Sequence, residues 1–218
     1  MNTGLQVRTI ESMPFGENSY IVFRDGQSDA LVIDPGMEPD LILDFLADQR
    51  LQVVAILNTH GHVDHIAGNA ALKQAFPNAP LLIGRIDAPM LQNPVLNLSI
   101  MMGETIVSPP ADQCLDEGDQ MTLAGLRFSI LAIPGHSPGH ILFRHLDQPE
   151  VIFGGDVLFA GSIGRTDFPG GSFEQLQEGI HRKLFTLPDS TLIYPGHGPT
   201  TTIGEEKRSN PFVGLSLR

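Results

Sequence analysis

Four short apolar runs in this chain each stop at a side chain able to bind a metal ion. Val53–Leu57 leads into Asn58-Thr59-His60, Leu126–Ile133 into Pro134-Gly135-His136, Val151–Phe153 into Gly154-Gly155-Asp156, and Thr191–Tyr194 into Pro195-Gly196-His197. A run such as Val53–Leu57 is too short for a helix and suits a buried strand. Loops at strand ends are where a rigid sheet can bring side chains from distant parts of the chain to one place. The chain is therefore expected to build a sheet framework with its ligand-type residues along one edge.

The densest of these loops reads His60-Gly61-His62-Val63-Asp64-His65. Imidazole nitrogens and carboxylate oxygens suit zinc and similar divalent ions. In an extended loop, residues two apart face the same way, so His60 and His62 can grip one ion together, while Asp64 and His65 turn toward a second position where a helix begins. With His136, Asp156 and His197 the candidate set reaches five histidines and two aspartates. Shared between two ions, it leaves each with incomplete protein coordination, the mark of a catalytic rather than a closed structural site. Cys114, the only cysteine, lies outside the cluster and excludes both an internal disulfide and a thiolate zinc finger.

Other segments fill in the framework. Tyr20–Phe23 and Ala30–Ile33 read as strands, Glu38–Arg50 and Ile66–Phe76 as helices, Leu81–Gly84 as a strand, and Ile141–His145 as another. Ser172–Leu184 reads as a helix capped by Ser172. Residues from about Arg85 to Gly118 lack clear periodicity and read as a flexible flap or an irregular excursion. Asp34, ending a strand near the site, is either a turn residue or a partner orienting a ligand imidazole. His140 is read as hydrogen-bonded structure, and His145 and His181 as partly exposed. Arg165 and Asp167 are read as an ion pair, and Lys207 and Arg208 as part of a solvated helix face.

Bulk composition bounds the partners. The 25 acidic and 13 basic side chains give a formal charge of −12, which argues against nucleic acid and anionic membranes, because phosphate binding relies on clustered Lys and Arg. No signal peptide or membrane-length apolar run is visible, so a cytoplasmic protein with residues 1–218 in a single domain is expected.

The run Thr59–His65, together with Pro134-Gly135-His136-Ser137-Pro138-Gly139-His140, Gly155-Asp156 and Tyr194-Pro195-Gly196-His197-Gly198, resembles the metallo-β-lactamase superfamily along nearly the whole chain. Gly164-Arg165-Thr166-Asp167-Phe168 and Glu205–Phe212 are similar to the small glyoxalase II-like (hydroxyacylglutathione hydrolase-like) subgroup. The resemblance implies an α/β fold, a four-layer αββα sandwich, with two divalent ions at one sheet edge. It implies His60, His62 and His136 on the first ion, Asp64, His65 and His197 on the second, and Asp156 between them. It also implies hydrolysis of a small-molecule thioester of the S-D-lactoylglutathione type by a metal-bridging hydroxide, with Asp64 as the catalytic side chain. Zinc is the expected metal, and iron or manganese also suit the ligands. Two rivals use the same residues: a persulfide dioxygenase with a single iron, and another hydrolase of this fold, such as a lactonase. The chain departs from longer glyoxalase II enzymes after His197, where most of their glutathione-binding helical region has no counterpart.

Overall fold

In a computed structural model, residues 4–147 and 150–215 are described. They form two six-stranded mixed sheets packed face to face. The first sheet runs, in spatial order, through β1 (Leu5–Ser12), β2 (Glu17–Arg24), β3 (Asp29–Ile33), β4 (Gln52–Asn58), β5 (Leu81–Gly84) and β6 (Gln113–Leu115). The hairpins β1–β2 and β2–β3 are antiparallel, while β3 through β6 are parallel. Parallel neighbours need crossovers, and α1 (Pro39–Asp48), α2 (Val63–Ile66) and α3 (Asn69–Ala75) supply two of them.

The second sheet contains β7 (Gln120–Leu123), β8 (Leu126–Ala132), β9 (Ile141–His145), β10 (Val151–Gly155), β13 (Leu192–Pro195) and β14 (Thr201–Thr202). A small ribbon, β11 (Leu158–Phe159) with β12 (Ser162–Ile163), follows β10. Helices α4 (Phe173–Gly179) and α5 (Ile203–Ser209) belong to this half.

Side-chain parity separates three cores and so makes four layers. Along β3, Ala30 and Val32 point to a core with Ile42 and Leu46 of α1 and Leu72 of α3, while Leu31 and Ile33 point between the sheets. Along β9 and β10, Phe143 and Phe153 enter the inter-sheet core, while Leu142 and Ile152 face Leu176 of α4 and Ile203 of α5. The αββα sandwich implied by the sequence is the observed architecture. Phe143 is fully buried between the sheets, so Phe143→Ala is expected to destabilise the fold by about 3–5 kcal/mol in urea unfolding.

Several elements differ from the sequence reading. The helix expected over Ile66–Phe76 begins at Val63 and breaks after Ile66. At the break, Gly68 presses its backbone against the first sheet: its N–H donates to the Pro35 carbonyl at 2.8 Å, and a Cβ there would stand 2.8 Å from the Gly36 oxygen. The helix expected over Ser172–Leu184 does start at a Ser172 cap, but after Gly179 it continues as one wider π-type turn, Ile180–Leu184. His145, read as partly exposed, is fully buried: β9 places it on the Phe143 face, where its ring lies 5.6 Å from Phe128. The irregular segment after β5 holds two short 3-10 turns, Ala88–Gln92 and Ser99–Met102. Its backbone is pinned by the buried Asn97 side chain, which donates to the Ile106 carbonyl and accepts from Ser99 N–H, both at 3.0 Å.

Candidate metal centre

All seven sequence-predicted ligand residues meet at one end of the sandwich. His60 and His62 follow β4, Asp64 and His65 sit on the first turn of α2, His136 follows β8, Asp156 follows β10, and His197 follows β13. Their ligand atoms form three groups, each with its atoms within 4.8 Å of one another: His60, His62 and His136; Asp64, His65 and His197; and His60, His65 and Asp156. Asp156 lies between the first two groups. One of its oxygens, Oδ2, is 3.4 Å from His136 Nε2 and 3.5 Å from His197 Nε2, while Oδ1 is 3.4 Å from His65 Nε2.

Contacts behind the ligands fix which nitrogen of each ring faces inward. His136 Nδ1 lies 2.8 Å from the Arg165 carbonyl, His197 Nδ1 3.2 Å from the Phe15 carbonyl, and His65 Nδ1 3.1 Å from Asp34 Oδ2. A carbonyl or carboxylate can only accept, so in each ring Nδ1 carries the proton and Nε2 keeps its lone pair for the centre. Asp34 also accepts from Thr59 N–H and Thr59 Oγ1, both at 2.7 Å. It is thus the partner orienting a ligand imidazole, one of its two sequence readings. His140 accepts from Asp156 N–H through Nε2 at 3.0 Å and stacks on His60, a structural role as expected.

The fit to cations can be tested on unsatisfied atoms. His60 Nε2, His65 Nε2 and Asp156 Oδ1 are buried with no hydrogen-bond partner, and all three point at the same place. Each such buried acceptor costs about 1–3 kcal/mol if left bare, and coordination of a divalent ion removes that cost. Protonation does not remove it at His60, which burial and neighbouring imidazoles hold well below its ordinary value; burial, then His136, likewise lowers His62 to about 3. On the other side burial opposes positive charge, yet the Asp64 and Asp156 carboxylates raise His65 well above the usual imidazole range. Positive charge is therefore favoured among the carboxylates, and lone pairs are kept free among the histidines. Two cations fit both halves.

Three further residues support the ligands without carrying a ligand motif of their own. Asp87, buried at the first 3-10 turn, accepts from Ser137 Oγ at 2.5 Å and Gly139 N–H at 2.6 Å, so it clamps the loop carrying His136. Glu17, also buried, sits 3.9 Å from His65 Nδ1, and burial pushes its carboxyl well up. Phe168 meets His62 edge-on at 5.3 Å and supports Arg165, whose guanidinium carbon is 4.0 Å above its ring. Arg165 pairs with Asp167 as expected, and Lys207 and Arg208 pair with Asp189 and Glu205 on an exposed face.

A cleft of about 470 Å³ opens over the centre, walled by Phe15, Leu98, Met101, Phe159 and Phe168 among others. Gly196 shows how little room lies beneath it: a Cβ there would stand 2.1 Å from Asp156 Oδ1 and 2.8 Å from His65 Cε1.

Residues 13–197 match the family model of the metallo-beta-lactamase superfamily. The chain belongs to that superfamily. Among curated superfamily relatives, the hydroxyacylglutathione hydrolase GloC of Haemophilus influenzae is 37% identical over 210 residues, covering 96% of this chain and 98% of its own. Solved structures are similar over nearly the same span. The BLEG-1 B3 metallo-β-lactamase superposes with a TM-score of 0.91 at 37% identity, covering 95% of this chain and 99% of its own. A di-iron-bound form of TTHA1623 does so at 0.83 and 38% identity (94% and 100%), and ETHE1 from Myxococcus xanthus at 0.80 and 31% (96% and 85%). A hydroxyacylglutathione hydrolase and a B3 metallo-β-lactamase thus stand at the same identity to this chain, and overall likeness does not choose the substrate.

Proposed function

We propose that this metallo-hydrolase cleaves thioesters, the reaction class of the hydroxyacylglutathione hydrolases. The observation that carries the reading is the pair of three-residue ligand groups with Asp156 between them, beneath an open cleft. His60, His62 and His136 would hold one ion, Asp64, His65 and His197 the other, with Asp156 shared. Two cations so held supply a water molecule acidified toward neutrality and Lewis acidity toward a carbonyl oxygen.

The residues around them do the positioning. Asp64 Oδ2, 3.4 Å from His197 Nε2 and open to the cleft, is the carboxylate placed to orient the attacking water. Asp34 and the Arg165 and Phe15 carbonyls keep the ligand rings in one tautomer. The cleft lining favours a leaving group that departs unaided. Apart from the ligand residues it offers Ser162 and Arg165 as its polar side chains, and neither is a ready proton donor near neutral pH. A thiol, of ordinary pKa about 8.5, leaves as the thiolate, whereas an amide nitrogen must be protonated.

Seven donors around two positions favour this reading over a single-iron dioxygenase, which would use two histidines and one carboxylate and leave the rest without a task. Metal analysis alongside spectroscopic turnover of S-D-lactoylglutathione tests it. Chelation is expected to lower the rate at least 100-fold, on the order expected when metal chemistry is removed, and a divalent ion to restore it. Full metal occupancy without thioester turnover would leave the superfamily assignment intact and remove the thioesterase reading.

A further inference from the structure

We infer that a buried Glu206–Asn210 pair on the C-terminal helix positions one wall of the centre: it clamps the β11–β12 ribbon, and through the ribbon it sets Phe159, Ile163 and the Arg165 carbonyl that orients His136. The run Glu205–Phe212 has no part in the chemistry proposed above, yet Glu206 and Asn210 within it are each only 1% exposed. Four positions apart, they share the inner face of α5 and its end, while Glu205 and Arg208 pair in solvent. Glu206 Oε1 accepts from Thr201 Oγ1 at 2.5 Å, and Oε2 accepts from Gly161 N–H at 3.0 Å and from the Asn210 amide at 2.7 Å. The same Asn210 nitrogen donates to the Ser162 carbonyl at 3.0 Å, while its oxygen accepts from Phe212 and Val213 N–H at 3.0 and 3.2 Å.

The ribbon needs such a clamp. Its strands are two residues each, Leu158–Phe159 against Ser162–Ile163, and a two-stranded ribbon is marginal on its own. Glu206 and Asn210 grip it at the turn, on the Gly161 N–H and the adjoining Ser162 carbonyl. The ribbon begins two residues after Asp156 and ends two before Arg165, and Phe159, Ser162, Ile163 and Arg165 all line the cleft. Phe159 meets the His197 ring edge-on at 6.0 Å, and the Arg165 carbonyl lies 2.8 Å from His136 Nδ1. Little slack separates ribbon and ligands: a Cβ on Gly164 would stand 1.9 Å from the Asp156 carbonyl oxygen and 3.1 Å from His136 Nδ1. A ribbon that shifts therefore moves both. Removing the Glu206 carboxylate strands three buried donors, and the ribbon can satisfy its own only by swinging toward water.

The test compares Glu206→Met and Glu206→Gln in zinc-reconstituted protein. Methionine keeps the length and loses both acceptors. Glutamine can turn its oxygen to Gly161 and Asn210 and its amide to the Thr201 hydroxyl, so it is expected to preserve the clamp. In nuclear magnetic resonance spectra the His136 Nδ1–H signal is expected to broaden or vanish in Glu206→Met and to return in Glu206→Gln. The His65 Nδ1–H signal, held by Asp34 in the other sheet, is expected to persist in both. The kinetic arm rests on the thioesterase reading: at saturating zinc, KM for S-D-lactoylglutathione is expected to rise about tenfold in Glu206→Met, with kcat within about threefold and KM restored in Glu206→Gln. Should Glu206→Met not fold, hydrogen exchange in the unmodified protein decides, with Gly161 N–H expected to be protected at least about 100-fold and to open together with the α5 amides. An unchanged His136 signal or unchanged KM in folded Glu206→Met, or a freely exchanging Gly161 N–H, would overturn the clamp and leave the thioesterase reading standing. The expected His136 behaviour in a fully metallated protein that cleaves no thioester would support the clamp and remove the thioesterase reading alone.

Discussion

Asp64→Ala is expected to lower turnover of a thioester substrate by at least about 100-fold and to remove roughly one of two bound metal equivalents, since even supporting contacts at metal sites are worth 10–100-fold. The expectation follows from where Asp64 stands. Its Oδ2 lies 3.4 Å from His197 Nε2 and 3.8 Å from His65 Nε2, so it completes the second ligand group while its carboxylate faces the cleft. Burial opposes its charge, but His65 and then His197 hold the carboxyl below its ordinary range, and the ionised form that would accept a bond from the attacking water is the one present at neutral pH. Asp64→Asn separates the two roles. It keeps a neutral oxygen donor of similar shape but loses the negative charge, so metal retention is expected to exceed that of the alanine variant while turnover stays low. Wild-type turnover by the alanine variant, with metal content measured on the same sample, would refute both the assignment and the hydrolytic scheme built on it.

The ligand residues could be read from the sequence because their signal is local. An apolar run, a Pro-Gly or Gly-Gly step and a His or Asp identify a strand end bearing a ligand within a few residues, and His60-x-His62-x-Asp64-His65 is denser still. What supports those ligands acts across the chain. Asp87 reaches Ser137 over 50 positions, and the Phe15 carbonyl reaches His197 over 182, so neither carries a motif. Phe15, Leu98 and Phe168 become cleft walls only after the β1–β2 hairpin, the segment after β5 and the loop after β12 fold over the centre. His145 is a different kind of miss. Parity along β9 puts residues 141, 143 and 145 on one face, and that face is the inter-sheet core, so the periodicity outweighs the polar character of an imidazole. β1 is hard to read because its apolar residues change face, Leu5 and Val7 packing on the inter-sheet core and Ile10 on the α1 side, which breaks the alternation.

Asp34→Asn is expected to cut affinity for the second metal by about 10–100-fold while leaving the fold intact, whereas Asp34→Ala is expected to destabilise the fold itself by several kcal/mol, since each orphaned buried donor costs about 1–3 kcal/mol. Asp34 is buried and accepts three bonds, from Thr59 N–H, Thr59 Oγ1 and His65 Nδ1. Alanine strands all three donors, and it must also hold φ +49°, a left-handed conformation that asparagine and aspartate tolerate better. Asparagine keeps the shape and the backbone preference, and its carbonyl oxygen can still accept from Thr59 N–H. Its amide nitrogen, however, then faces His65 Nδ1. Two donors cannot share that contact, so the ring is driven to the other tautomer, with the proton on Nε2, where the ligand lone pair is required. Chemical denaturation would place the two variants apart in stability, and metal titration would show the asparagine variant folded but weak for the second ion. Equal metal affinity in Asp34→Asn and the unmodified protein would mean that the Asp34–His65 contact does not set the imidazole tautomer, and the orientation argued for His136 and His197 on the same physical ground would lose its support.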